Sequence, residues 1–130
     1  MDQNKNLVSQ LNNMQNHKPA LPNSFYPVDP GYKYDLMDYK PADENAVEAQ
    51  SLEFYKSEKK EGSTECEMVQ NGTTTESVIE VCIHRLQHLN KELPCRETSC
   101  AITKLEEAKM WLDKRTEDRR ARGVLGKHEK

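Results

Sequence analysis

The stretch NGTTTESVIEVCIHRLQHLNKELPC, residues 71–95, decides the reading of the fold. Asn71-Gly72 is a turn dipeptide. Thr73, followed three residues later by Glu76, forms a capping box in which each side chain takes an orphan backbone N–H of the other. Val78, Ile79, Cys82, Ile83, Leu86, Leu89 and Leu93 then recur at helical spacing. Pro94 ends the run, because the residue before a proline is pushed out of the α region. The pattern predicts a helix of about 20 residues, roughly 30 Å long.

A second helix is predicted from Cys95–Arg96 to about Arg122. Ala101, Ile102, Leu105, Ala108 and Leu112 form its apolar stripe, with Met110 and Trp111 beside it. Lys104, Glu106, Glu107, Lys109, Asp113 and Lys114 cover the outer face in opposite-charge pairs. Gly123 is placed to follow the helix as a left-handed cap. The short Leu93-Pro94-Cys95 link makes the two helices antiparallel neighbours. A lone pair of helices has one mutual interface and leaves apolar surface exposed, so a homo-oligomer is expected.

Upstream, residues 1–50 are rich in Asn, Gln, Pro and Asp, with Pro19, Pro22, Pro27, Pro30 and Pro41 too frequent for a long helix or a central strand. They carry Phe25, Tyr26, Tyr32, Tyr34 and Tyr39. They read either as a flexible arm or as an extended segment whose aromatics dock on a partner. In residues 51–70, Leu52, Phe54 and Tyr55 precede a polar, Gly-containing loop, and Cys66 and Met68 alternate with Glu65 and Glu67. Two short strands joined by a loop would explain this. The expected fold class is therefore mainly α: an antiparallel two-helix hairpin over 71–130, preceded by at most a small β-hairpin over 51–70 and a largely irregular N-terminal arm over 1–50.

Of the 130 residues, 35% are apolar and 32% charged, which allows only a modest core. The formal charge of −3 is uneven: residues 1–95 sum to −6 and residues 96–130 to +3. The second part is the place to look for an anionic partner, but it is too weakly basic for duplex nucleic acid. No apolar run spans a bilayer, and the first residues lack the basic and apolar regions of a signal peptide, so a cytoplasmic protein without membrane contact is expected. Cys66, Cys82, Cys95 and Cys100 lack a Cys-x-x-Cys pairing and read as free structural thiols, three of them in or near the helical core.

His84 and His88 have zinc-chelating spacing but no third ligand and no general-base Glu between them, and read as a solvated or interface pair. No catalytic residue, metal site or cofactor is expected. The start of the second helix is the candidate binding site, since its free N–H groups and dipole favour an anion. Arg96 adds a planar fork for phosphate, Thr98, Ser99 and Thr103 add hydroxyls, and Glu97 can accept from a base or ribose. The plainer account is an ordinary polar first turn. At the far end Arg115, Arg119 and Arg122 cluster with Arg120, partly neutralised by Glu117 and Asp118. They are either a solvated helix end or, across an oligomer interface, the second half of a phosphate pocket formed by Arg119 and Arg122.

At these residues the chain resembles the hairpin domain of phage anti-CBASS and anti-Thoeris sponge proteins, over about residues 65–130. The resemblance rests on Asn71-Gly72-Thr73…Glu76, on Arg96-Glu97-x-x-x-Ala101-Ile102-Thr103-Lys104-Leu105-Glu106-Glu107-Ala108 with Met110-Trp111, and on the ending Arg115-Thr116…Arg120-Ala121-Arg122-Gly123-Val124, with Gly126 and His128 nearby. Cys100, where an aliphatic residue is usual, and Leu125, often acidic, depart from the pattern. The resemblance implies a phage-encoded, non-enzymatic oligomer that sequesters a cyclic di- or oligonucleotide or a cyclic ADP-ribose-type signal in the host cytoplasm without cleaving it. The alternative is an oligomeric protein-interaction module with no small-molecule ligand. Single-stranded nucleic acid binding ranks last, because the tyrosines lie in the acidic part of the chain.

Overall fold

The computed structural model of the chain describes residues 25–39 and 49–130. Five strands precede two helices: β1 (Phe25–Asp29), β2 (Lys33–Met37), β3 (Ala49–Glu53), β4 (Lys56–Lys59), β5 (Cys66–Gln70), α1 (Thr75–Glu92) and α2 (Arg96–Ala121). The strands form two antiparallel sheets, β1-β2-β3 and β4-β5. The expectation of a mainly α chain with a largely irregular N-terminal arm is thereby overturned. The rest of that arm, residues 1–24 and 40–48, lies outside the described residues.

The prolines read as strand breakers explain the error. Pro27 lies in β1, at the sheet edge, where a missing N–H costs little, and the β1–β2 register shifts just after it. Pro30 and Gly31 (φ +92°) occupy the middle of a tight turn closed by Tyr32 N–H donating to the Asp29 carbonyl at 2.8 Å, the type II preference for Pro then Gly. The run Tyr32-Lys33-Tyr34-Asp35-Leu36 alternates apolar and polar residues at the strand period. Tyr34 faces Leu52 across the β2–β3 ladder and stands edge-on to Phe54, ring centroids 6.1 Å apart.

After β3 the chain crosses directly into β4, and Thr73 returns from β5 to lie beside that crossing. The Thr73 N–H donates to Glu53 O at 2.9 Å and Tyr55 N–H donates to Thr73 O at 3.1 Å. Thr73 is thus bound into backbone pairing and does not cap α1. The cap is Thr74, whose Oγ1 accepts from Ser77 N–H at 3.1 Å. A Cβ on Gly72 would stand 2.6 Å from the Glu53 carbonyl oxygen, so only glycine permits this approach.

Ion pairs and amide contacts at two levels bring α1 and α2 side by side in antiparallel sense. Near the turn, Asn90 accepts from Cys95 N–H and donates to Ser99 Oγ, both at 3.1 Å. Further along, Lys109 lies 3.1 Å from Glu80 and 2.7 Å from Asp113. Chiefly the Asp113 carboxylate, then Glu80, raises the Lys109 pKa and keeps it protonated. Ile102, 9% exposed, is the buried hydrophobic residue between the helices. Cys82, Cys95 and Cys100 are exposed, against the expectation of core thiols.

Helix α2 ends in a Schellman motif: Gly123 (φ +74°) donates to Arg120 O at 3.1 Å and Val124 to Arg119 O at 3.0 Å. Residues 124–130 then fold back onto the β4–β5 loop, where His128 N–H donates to Thr64 O at 2.8 Å and Lys127 lies 3.5 Å from Glu65. Among the described residues no helix is long and apolar enough to cross a membrane.

Candidate binding cavity

Alternating residues along β2 and β3 place one face of the first sheet across an open cavity from the helices. Tyr32, Tyr34, Leu36, Leu52 and Phe54, with Phe25 from β1, line an open cavity of about 880 Å³. Its opposite wall is Thr74, Thr75 and Glu76 at the start of α1, Leu112 and Arg115 on α2, and His128 from the closing segment. The volume suits a ligand of nucleotide size. Aromatic faces offer stacking surfaces, the α1 start offers N–H groups to an anion, and Glu76 offers an acceptor. Arg115 is exposed and has no carboxylate within ion-pair distance among the described residues. Its charge is available to a phosphate.

Two positions on the sheet side are fixed by further contacts. The Tyr34 hydroxyl accepts from Gly31 N–H at 2.7 Å, which ties the ring to the β1–β2 turn. Lys56 sits 4.6 Å above the Tyr32 ring centroid and 3.3 Å from Asp29, so its charge is partly balanced beside the cavity.

The residues expected at the binding site are distributed differently. Arg96, Glu97 and Ser99 are exposed at the start of α2. The Ser99 hydroxyl donates to Cys95 O at 3.1 Å and already accepts from Asn90, while the Thr103 hydroxyl donates to Ser99 O at 3.2 Å. Thr98 Oγ1 lies 3.0 Å from the Cys95 sulfur. Arg119 and Arg122 lie about 35 Å away along the same helix, at 1.5 Å per residue, so one chain cannot bring the two groups together. Arg119 is 8% exposed and bonded to carbonyls of the closing segment, while Arg122 bonds Asp118 and Lys130 O. Sequence reasoning missed Phe25, Tyr32, Tyr34, Phe54 and His128 as lining residues. The period-two alternation of residues 32–36 was the available signal for the tyrosines; His128 stands beside the terminal motif of the resemblance, which gave it no lining role.

Cys95 at the α2 N-cap has a measurable electrostatic signature. The Thr98 hydroxyl, followed by the Thr98 backbone N–H, holds its thiol below the ordinary range. Thiolate therefore forms at lower pH, and alkylation of Cys95 by iodoacetamide is expected to reach half its maximal rate at a lower pH in the native protein than in Thr98→Val. Identical profiles for the two proteins, followed by peptide mass spectrometry, would refute this.

Residues 57–117 match the family model of the Acb2/Tad1 hairpin domain. The chain is also similar to Thoeris anti-defense 1 of Bacillus phage SBSphiJ7, 57% identical over 61 residues. That alignment covers 46% of this chain and 43% of the relative, so the matched part spans less than half of the relative's length. The family match contains the α1 start, the α2 start and Arg115, and it excludes the first sheet and the closing segment.

Proposed function

We propose, from the match of residues 57–117 to the family model of the Acb2/Tad1 hairpin domain, that the chain is a phage anti-defence protein that sequesters a cyclic nucleotide signal without cleaving it. The observation that carries this reading is the aromatic cavity with Arg115 and the start of α1 facing the sheet across it. A cyclic ADP-ribose-type molecule or a cyclic dinucleotide brings bases for the aromatic walls and a few negative charges for one arginine and a helix terminus. Stacking contributes about 1–3 kcal/mol per base.

The exposed start of α2 is a second proposed contact surface, with Arg96 toward phosphate, Glu97 toward base or ribose, and Thr98, Ser99 and Thr103 as hydroxyl partners. Completing a pocket there requires a second copy of the chain. Leu93 (81% exposed), Val81 (68%) and Trp111 (57%) supply apolar surface for such a homo-oligomer.

Calorimetric titration with cyclic dinucleotides, cyclic trinucleotides, cyclic ADP-ribose and its 2′- and 3′-linked isomers tests the reading. Binding by at least one of them, with the ligand recovered chemically intact, is the expected result. Absence of both heat and thermal stabilisation across that panel would favour the oligomeric protein-interaction module instead.

A further inference from the structure

Arg119 is the buried charged side chain among the described residues. No carboxylate there neutralises it. Its guanidinium instead donates to three backbone carbonyls of the segment that follows α2: Nη2 to Val124 O at 2.9 Å and to Lys127 O at 2.7 Å, and Nη1 to Glu129 O at 2.5 Å. Carbonyl dipoles satisfy the donors but leave the net charge in place, and burying such a charge is costly unless it is well bonded. A planar fork reaching three carbonyls spread over six residues fixes the path of that stretch. Lysine, a point charge, cannot reproduce it.

The stretch so fixed contains His128, which lines the cavity opposite the sheet. A smaller recess formed by Arg115, Arg119, Lys127, His128, Glu129 and Lys130 adjoins it, sharing Arg115 and His128 with the main cavity. The second anchor of the stretch, His128 N–H to Thr64 O at 2.8 Å, is made by the backbone of the same residue. Arg119 and the β4–β5 loop therefore both hold the segment, and His128, anchored to the loop through its backbone, lines the cavity.

We infer that Arg119 is a positioning residue for the cavity: it clamps residues 124–130 so that His128 forms a wall beside Arg115, and it acts on a bound anion through His128 without contacting it. The effect on affinity rests on the sequestration reading; the clamp itself does not. The test combines Arg119→Lys, His128→Ala and the double variant in the full chain. Amide hydrogen exchange of the ligand-free proteins is followed at Lys127 and His128, alongside titration with cyclic ADP-ribose and its 2′- and 3′-linked isomers.

Arg119→Lys is expected to speed exchange at those two amides about tenfold or more while α1 amides keep their protection. Affinity for the tightest-binding isomer should fall about tenfold through lost preorganisation. In the His128→Ala background the same substitution should cost less than about twofold, since coupled residues are non-additive. Unchanged exchange at Lys127 and His128 would overturn the clamp. Equal losses in both backgrounds would make Arg119 a direct ligand contact. If no isomer binds, the sequestration reading fails for this ligand class, and the clamp is still decided by the exchange data.

Discussion

Gly72→Ala is expected to destabilise the protein by about 2–3 kcal/mol, the range of an overpacked site that cannot relax. The new Cβ would lie 2.6 Å from both Glu53 O and Phe54 C and 2.9 Å from Glu53 C, all backbone atoms of the β3–β4 crossing. No rotamer change can relieve such a contact. Relief requires the crossing to move away from Thr73, which breaks the hydrogen bonds from Thr73 N to Glu53 O and from Tyr55 N to Thr73 O. Those bonds join the sheets to the start of α1, so cooperativity between sheets and helices should weaken as well. Urea denaturation should show a lower midpoint, and thermal melting a drop of roughly 8–12 °C for a protein of this size. A change under about 0.5 kcal/mol would mean that the close approach does not persist in solution.

Arg115→Ala is expected to lose about 100-fold in affinity for the best-binding cyclic nucleotide, or about 2.7 kcal/mol, within the range for removing a charge-assisted contact in a partly enclosed site. Arg115 is exposed at the cavity and holds no ion pair among the described residues, so folding stability should move by less than about 0.5 kcal/mol. Arg115→Lys keeps the charge but loses the fork and should fall between the two. Lys114, which sits 5.2 Å over the Trp111 ring and does not line the cavity, is the neighbouring cation to use as control. Retained affinity in Arg115→Ala, measured calorimetrically with unchanged melting, would remove the cavity from the proposed binding site.

The helices were legible because their signals are local. Val78, Ile79, Ile83 and Leu86 repeat at 3.6-residue spacing, and Pro94 and Gly123 mark the stops. The cap shows where local reading fails: Thr73 and Thr74 are chemically equivalent as cap residues, and pairing with Glu53 and Tyr55, some 20 residues upstream, decides between them. The first sheet is hidden by Pro27 and Pro30, which read as breakers although edge strands and turns tolerate them. Alternation over Tyr32–Leu36 was too short to outweigh that composition. At the candidate site, sequence chemistry drew attention to both arginine-bearing ends of α2. It could not show that Arg119 would spend its donors on Val124, Lys127 and Glu129, because that depends on how the chain turns after Gly123.

The cavity walls run from Phe25 to His128 along the chain, whereas the contacts of the helical hairpin are nearly local, such as Asn90 with Ser99. Loop-closure entropy makes near contacts form before far ones. The pocket, which joins both ends of the described chain, is therefore expected to close after the sheet and the hairpin that build it. Substitutions that act only across the cavity should mainly accelerate unfolding and leave the folding rate nearly unchanged, because closing the cavity joins both ends of the described chain. Under the sequestration proposal, release of the sheet with the hairpin intact would give a bulky ligand a route in and out that does not require the molecule to unfold.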